Sequence, residues 1–171
     1  MSQMRHDAPG QKKLIIFHLM KSIFLLTALI FSAATAVAHV RVRPAESPLG
    51  ATESYTLRVP SERGLTTKSI VLNVPEGVTI LSVGVIKGVS GISFEEKESG
   101  NGRRAITWSI EIKPGEATEL SFVAQNPSDG AAIIWRVQQN YSDGTTSSWV
   151  GPKGDKSPAP VTNLTPAPEK K

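Results

Sequence analysis

From residue 39 to residue 164 apolar and polar positions alternate with a period of two, in short runs that turn-forming residues close; this is the pattern of half-buried β-strands. His39-Val40-Arg41-Val42-Arg43 alternates until Pro44 stops it, and Ser47-Pro48-Leu49-Gly50 reads as a turn. Residues 53–59 alternate again, with Tyr55, Leu57 and Val59 on one face and Glu53 starting on that same side near the strand end. Residues 68–74 form a third strand ending at Pro75-Glu76-Gly77. Residues 78–86 are more continuously apolar, which predicts a more buried strand. Further strands are predicted over 91–95, 105–112, 120–124, 133–141 and 145–150, with an edge strand over 159–164. A polar hairpin loop, read as solvated, spans 95–104. Asp143-Gly144 is a hairpin signal between the strands at 133–141 and 145–150. Seven to nine short strands and no amphipathic helix predict an all-β fold, an immunoglobulin/fibronectin type III-like β-sandwich. Trp108 and Trp135 fall at core positions.

The first 38 residues follow different rules. Lys12, Lys13 and Lys21 precede the apolar run 23–31, and small residues lead to Ala36-Val37-Ala38, the order of a basic segment, an apolar core and an A-x-A cleavage site. A membrane-spanning anchor is the alternative, but that wants about 20 apolar residues and this run gives way to small residues sooner. The expectation is an N-terminal extension and cleaved signal peptide over 1–38, a β-sandwich domain over 39–164 and a disordered Pro/Lys tail over 165–171. Met20 begins a more typical leader, which leaves 1–19 without a defined role. The product is expected to be periplasmic or secreted, without a stable membrane anchor after cleavage.

Cleavage changes the charge and the available chemistry. The whole chain carries a net charge of +4, but residues 39–171 hold 15 Lys and Arg against 14 Asp and Glu, a net of +1, so the basic pI is no argument for a nucleic-acid partner. There is no cysteine, and the three methionines, Met1, Met4 and Met20, all lie before the cleavage point. Disulfides therefore cannot staple the fold. A metal site would use nitrogen and oxygen, which favours Cu(II), Ni(II) or Zn(II) over Cu(I). His39 would become the N-terminal residue and the single histidine of the processed chain, since His6 and His18 leave with the leader. Its α-amine and ring Nδ1 can chelate one metal ion without help from any other residue. By itself Glu53 reads as a surface charge at a strand end.

His39-Val40 at the cleavage site, Pro44 and Glu46, Gly50-Ala51-Thr52-Glu53-Ser54-Tyr55-Thr56-Leu57-Arg58-Val59-Pro60-Ser61-Glu62, Thr66-Thr67-Lys68, Val74-Pro75-Glu76-Gly77-Val78, Asn126-Pro127, and Tyr141-Ser142-Asp143-Gly144 with Trp149 and Gly151 resemble the YcnI-like family of extracytoplasmic bacterial copper-binding domains. The resemblance covers nearly all of the chain from His39 on. It implies a fibronectin-type sandwich that binds Cu(II) through a single-histidine brace, with His39 and Glu53 as metal ligands and Trp149 beside the metal. Glu46 is a spare carboxylate. The Pro-Gly-Trp segment common in relatives has no counterpart around 85–89.

Three function classes follow. The resemblance favours a protein that stores, buffers or delivers copper, with the ion as ligand and a copper importer or periplasmic copper chaperone as partner. A metal-free adhesion or interaction module is the alternative, because a sandwich fold carries no function by itself. A copper oxidative enzyme fits less well, since that chemistry ordinarily pairs the N-terminal histidine with a second one. Hydrolytic triads have no inventory here, with one histidine and no cysteine after Ala38.

Overall fold

The computed structural model describes residues 39–61, 63–96 and 103–168. Among these there are twelve strands and no helix: β1 (Arg41–Arg43), β2 (Glu46–Pro48), β3 (Thr52–Pro60), β4 (Thr67–Asn73), β5 (Thr79–Val83), β6 (Val89–Glu96), β7 (Arg103–Ile112), β8 (Ala117–Gln125), β9 (Ala132–Ile134), β10 (Arg136–Tyr141), β11 (Thr146–Trp149) and β12 (Val161–Thr165). The first sheet has the order β1-β3-β8-β5, the second β11-β10-β4-β7-β6, and a small third sheet β2-β12-β9. The first two form a β-sandwich of the predicted class. No described helix is long and apolar enough to cross a membrane.

The alternation read in the sequence is what closes the core. On β3, Tyr55, Leu57 and Val59 point inward and are at most 1% exposed, and Val42 on β1, Leu120 and Phe122 on β8, and Ile70 and Leu72 on β4 meet them. Trp108 and Trp135 are both fully buried, as their positions predict. Tyr55, Phe122 and Trp135 form an aromatic triangle with ring centroids 5.0–5.4 Å apart. All of this core lies at or after Val40, inside one compact unit that runs from Ala38 to Lys171. Gly77, at φ +77°, sits where a Cβ would come within 2.8 Å of the Pro127 Cβ. The turn after β4 can therefore touch the turn after β8 only because residue 77 has no side chain.

Four elements differ from the sequence expectation. Glu46–Pro48, expected as part of a turn region, is a strand that runs parallel to β12. The apolar run 78–86 gives only the five-residue β5, an edge strand whose Leu81 is 50% exposed; Val85, beyond it, is 84% exposed. An apolar run does not distinguish a central strand from an edge. The predicted strand 133–141 breaks at Trp135 into β9 and β10, which belong to different sheets. Trp135 is held at the break by two bonds: its backbone N–H donates to the Pro160 carbonyl (2.9 Å), and its indole Nε1 donates to Thr162 Oγ1 (3.1 Å). The ordered C-terminal strand extends to Thr165, one residue into the expected tail. The leader, its cleavage site, residues 97–102 of the predicted hairpin loop and residues 169–171 of the tail lie outside the described residues.

Asn126 pins one end of the sandwich. Its side-chain amide donates to Ser47 Oγ (2.8 Å) and to the Pro48 carbonyl (2.7 Å), and its Oδ1 accepts from the Tyr55 hydroxyl (2.5 Å). Burial raises the Tyr55 pKa and the nearby Glu53 charge adds to this, while bonds to Ser47 and Asn126 pull the other way. The phenol thus stays an O–H donor. At the hairpin that carries β11, Asp143 Oδ1 accepts from the Thr145 backbone N–H (2.9 Å) and hydroxyl (2.7 Å), and Gly144 takes φ +84°. These bonds from Thr145 lower the Asp143 pKa.

Two outcomes are expected. Asn126→Ala leaves the buried Tyr55 hydroxyl without its acceptor and takes one bond each from Ser47 Oγ and the Pro48 carbonyl, and should cost about 2 kcal/mol or more in urea unfolding, whereas Leu81→Ser on the exposed edge should change stability by no more than about 0.5 kcal/mol. Because the Asp143 pKa is depressed in the fold, its stabilising effect is present above the unfolded aspartate value and lost as pH falls through the folded one. Carbon-detected NMR titration should find the Asp143 midpoint below that of an unstructured aspartate, and Thr145→Val should raise it.

Candidate functional site

The register of β1 against β3 decides what His39 can meet. Arg41 faces Arg58, Val42 faces Leu57 and Arg43 faces Thr56, so continuing the antiparallel pairing by two residues brings His39 beside Pro60. His39 therefore stands at the Pro60 end of β3. Trp149 reaches the same end from the other sheet: it is the last residue of β11, opposite Val137 on β10. The imidazole and indole rings meet edge-on, with centroids 6.1 Å apart at 71°. His39 is half-buried and Trp149 is 6% exposed, so the histidine's remaining free side faces solvent.

Trp149 is held in this place by a buried amide. Its Nε1 donates to Gln139 Oε1 (3.3 Å), while Gln139 Nε2 donates to the Pro60 carbonyl (2.9 Å) and to Thr67 Oγ1 (2.7 Å). Thr67 Oγ1 donates on to Ser61 Oγ (3.3 Å), which donates to the Leu65 carbonyl (2.6 Å). Gln139, Thr67 and Ser61 are all fully buried. One connected set of bonds thus fixes the indole of the second sheet against the end of β3 in the first. Sequence reading did not find this set. Gln139 sits among alternating residues at an inward position, and a glutamine there, where the pattern calls for an apolar side chain, is the signal that could have revealed it.

Glu53 is not part of this group. It is seven residues from Pro60 along β3, about 23 Å at the rise of an extended strand. Its carboxylate accepts from Ser47 Oγ (2.9 Å) and from the Ser54 backbone N–H (3.0 Å), at the end of the sandwich that Asn126 pins. Glu46 lies on β2, paired with Asn163 of β12. The structure brings His39 and Trp149 together and leaves Glu53 at the other end; a carboxylate so far away cannot share a metal ion with His39. The expected His39–Glu53 ligand pair is corrected accordingly. Among the described residues no three His, Asp or Glu side chains gather as a metal-binding group.

What the arrangement can do chemically rests on one residue and its neighbour. While Ala38 is attached, the His39 backbone nitrogen is an amide and a poor ligand. Freed, it becomes an amine next to its own imidazole, and this two-nitrogen chelate would lie beside the indole of Trp149. The fit to a metal is thus a chelate intrinsic to His39, an apolar wall at Trp149, and an oxygen ligand still to be supplied.

Comparison with known proteins agrees with this architecture. The chain is 35% identical over 148 residues to the copper-binding protein CutI of Bacillus subtilis (strain 168), an alignment covering 84% of this chain and 70% of that protein. An uncharacterized protein from Nocardia farcinica, whose crystal structure reveals an immunoglobulin-like fold, superposes with a TM-score of 0.65 at 20% identity, over 74% of this chain and 97% of that one. Residues 39–169 match the family model described as a domain of unknown function, DUF1775, so from His39 onward the chain belongs to that family, the YcnI-like group its motifs resemble.

Proposed function

We propose that this protein binds Cu(II) outside the cytoplasm, through the α-amine and imidazole of His39 once the chain has been cleaved after Ala38, and that it buffers or delivers the ion rather than catalysing a reaction. The observation that carries the reading is the 6.1 Å edge-on contact between His39 and Trp149, in a chain 35% identical to a copper-binding protein. Two nitrogens and an oxygen form a set suited to tetragonal Cu(II), which stands highest in affinity among the divalent ions such ligands accept. A bound Cu(II) supplies a redox-active dication. The chain's own residues would chelate it, wall it on one side with the indole of Trp149, and keep that indole in place through Gln139.

The oxygen ligand should come from the Pro60 end of β3. Glu62, which lies outside the described residues, follows Ser61 directly in sequence, and Ser61 is anchored at that end by its backbone bond to the Glu116 carbonyl (2.9 Å). We assign the carboxylate position to Glu62 in place of Glu53. Both His39 nitrogens must be unprotonated to coordinate, so binding weakens in acid. Signal cleavage then acts as the switch that creates the site.

The decisive experiment is a Cu(II) titration, by electron paramagnetic resonance and calorimetry, of the chain beginning at His39 beside the same chain with one additional N-terminal alanine. A one-to-one tetragonal site with nitrogen coupling is expected in the first, weakened by on the order of 100-fold or more in the second. Equal binding by both would sink the brace, and no binding by either would favour an interaction module. Glu62→Gln should weaken binding by about 10–100-fold and Glu53→Gln should leave it unchanged. Copper should also quench tryptophan fluorescence, and Trp149→Phe should remove most of the quenching while Trp108 and Trp135 remain.

A further inference from the structure

We infer that the outer face of β1 and β3 is a binding site for a small oxyanion carrying two or more negative charges, held by Arg41, Arg43 and Arg58. Residues 41 and 43 point away from the core because Val42 between them points into it, and Arg58 does so because Leu57 and Val59 are buried on either side. Register puts Arg41 directly across from Arg58 and Arg43 across from Thr56. The three guanidinium-bearing side chains and Thr56 line one cleft of about 270 Å³, which Glu119, the β8 partner of Arg58, bounds on its far side.

Like charges directly opposite one another on a sheet are destabilising. Glu119 stands across from Arg58 on β8, but none of the three arginines forms an ion pair with it or with another described carboxylate; the ion pair found among the described residues joins Lys68 and Glu111, on the second sheet. The cost is concentrated, too, because the chain from His39 on has a net charge of only +1. An oxyanion seated between the arginines would remove the repulsion and accept paired N–H bonds from guanidinium groups, whose planar fork matches carboxylate and phosphate oxygens. The Thr56 hydroxyl offers a further donor in the same cleft. Two charges are asked of the ligand, because three arginines against the one carboxylate of Glu119 leave the cleft at +2, and a single negative charge would not neutralise it. The shared chemistry could be presented by an oligocarboxylate or by a phosphate.

No copper ligand is among the residues that line the cleft, so the test uses the metal-free chain beginning at His39, which contains the whole core. Inorganic phosphate and citrate are titrated separately at constant ionic strength, with chloride as the monovalent control, and the arginine side-chain Nε–H signals are followed by NMR. Saturable shifts of Arg41, Arg43 and Arg58 are expected with at least one of the two probes, and the tighter of them names the class. Arg58→Gln should weaken binding about tenfold, and the triple variant Arg41→Gln, Arg43→Gln, Arg58→Gln should abolish it. Both variants should unfold at or above the midpoint of the unaltered chain, since each relieves repulsion at exposed positions. Shifts no larger than those in chloride, or equal binding by the triple variant, would overturn the assignment.

Discussion

A polar side chain with no access to water must find all its partners inside the protein, and two buried amides, Asn126 and Gln139, set the shape of this molecule on that ground. Asn126 gathers Ser47, Pro48 and Tyr55 at one end of the long strand β3. Gln139 gathers Pro60, Thr67 and Trp149 at the other. Hydrophobic burial brings the two sheets together, but it is non-directional and would tolerate sliding. Gln139 would not, because it sits on β10 of the second sheet and bonds the Pro60 carbonyl at the end of β3 in the first, so a shift of either sheet would leave its donors unpaired. Asn126 ties the first sheet instead to β2 of the small third sheet, through Ser47 and Pro48. In a chain without cysteine, these two amides hold the three sheets in register.

The division between the ends gives the family motif a physical meaning. The Gly-x-x-Glu-x-Tyr segment, Gly50 to Tyr55, and Asn126-Pro127 belong together. The Gly50 backbone N–H donates to the Pro127 carbonyl, the Asn126 backbone N–H donates to the Ala51 carbonyl, and Glu53 and Tyr55 both join the network around Ser47 and Asn126. Glu53 is thus explained by what it holds together. A residue's specificity within a motif says that its place matters; whether it binds a ligand or fixes a turn is decided by where the strand carries it.

Much of the fold could be read from the sequence because period-two alternation is a local property. It gave the inward faces of β3 and β7 and the burial of Trp108 and Trp135. It could not say which end of β3 lies beside His39, because alternation fixes the face of a strand and not its pairing register or direction. Glu53 was therefore placed near the histidine on the strength of resemblance, and a nine-residue strand separates them. The strand β2 was hidden for a related reason: three residues containing a proline carry no pattern of their own, and their partner, β12, lies more than one hundred residues away along the chain. The break at Trp135 was hidden because both halves keep the same alternation while changing sheets.

The parallel pairing of β2 with β12 has a consequence for how the molecule is made. The Thr162 hydroxyl donates to the Pro44 carbonyl across 118 positions of sequence, and the Leu49 backbone N–H donates to the Thr165 carbonyl. Contacts of such separation bear the largest loop-closure cost and form late. The segment just after His39 must therefore wait without its partner until the chain as far as residue 165 is free to pair with it. The last of the described strands completes the first part of the domain, and a chain cut short before it would leave β2 and β9 without the strand that joins them.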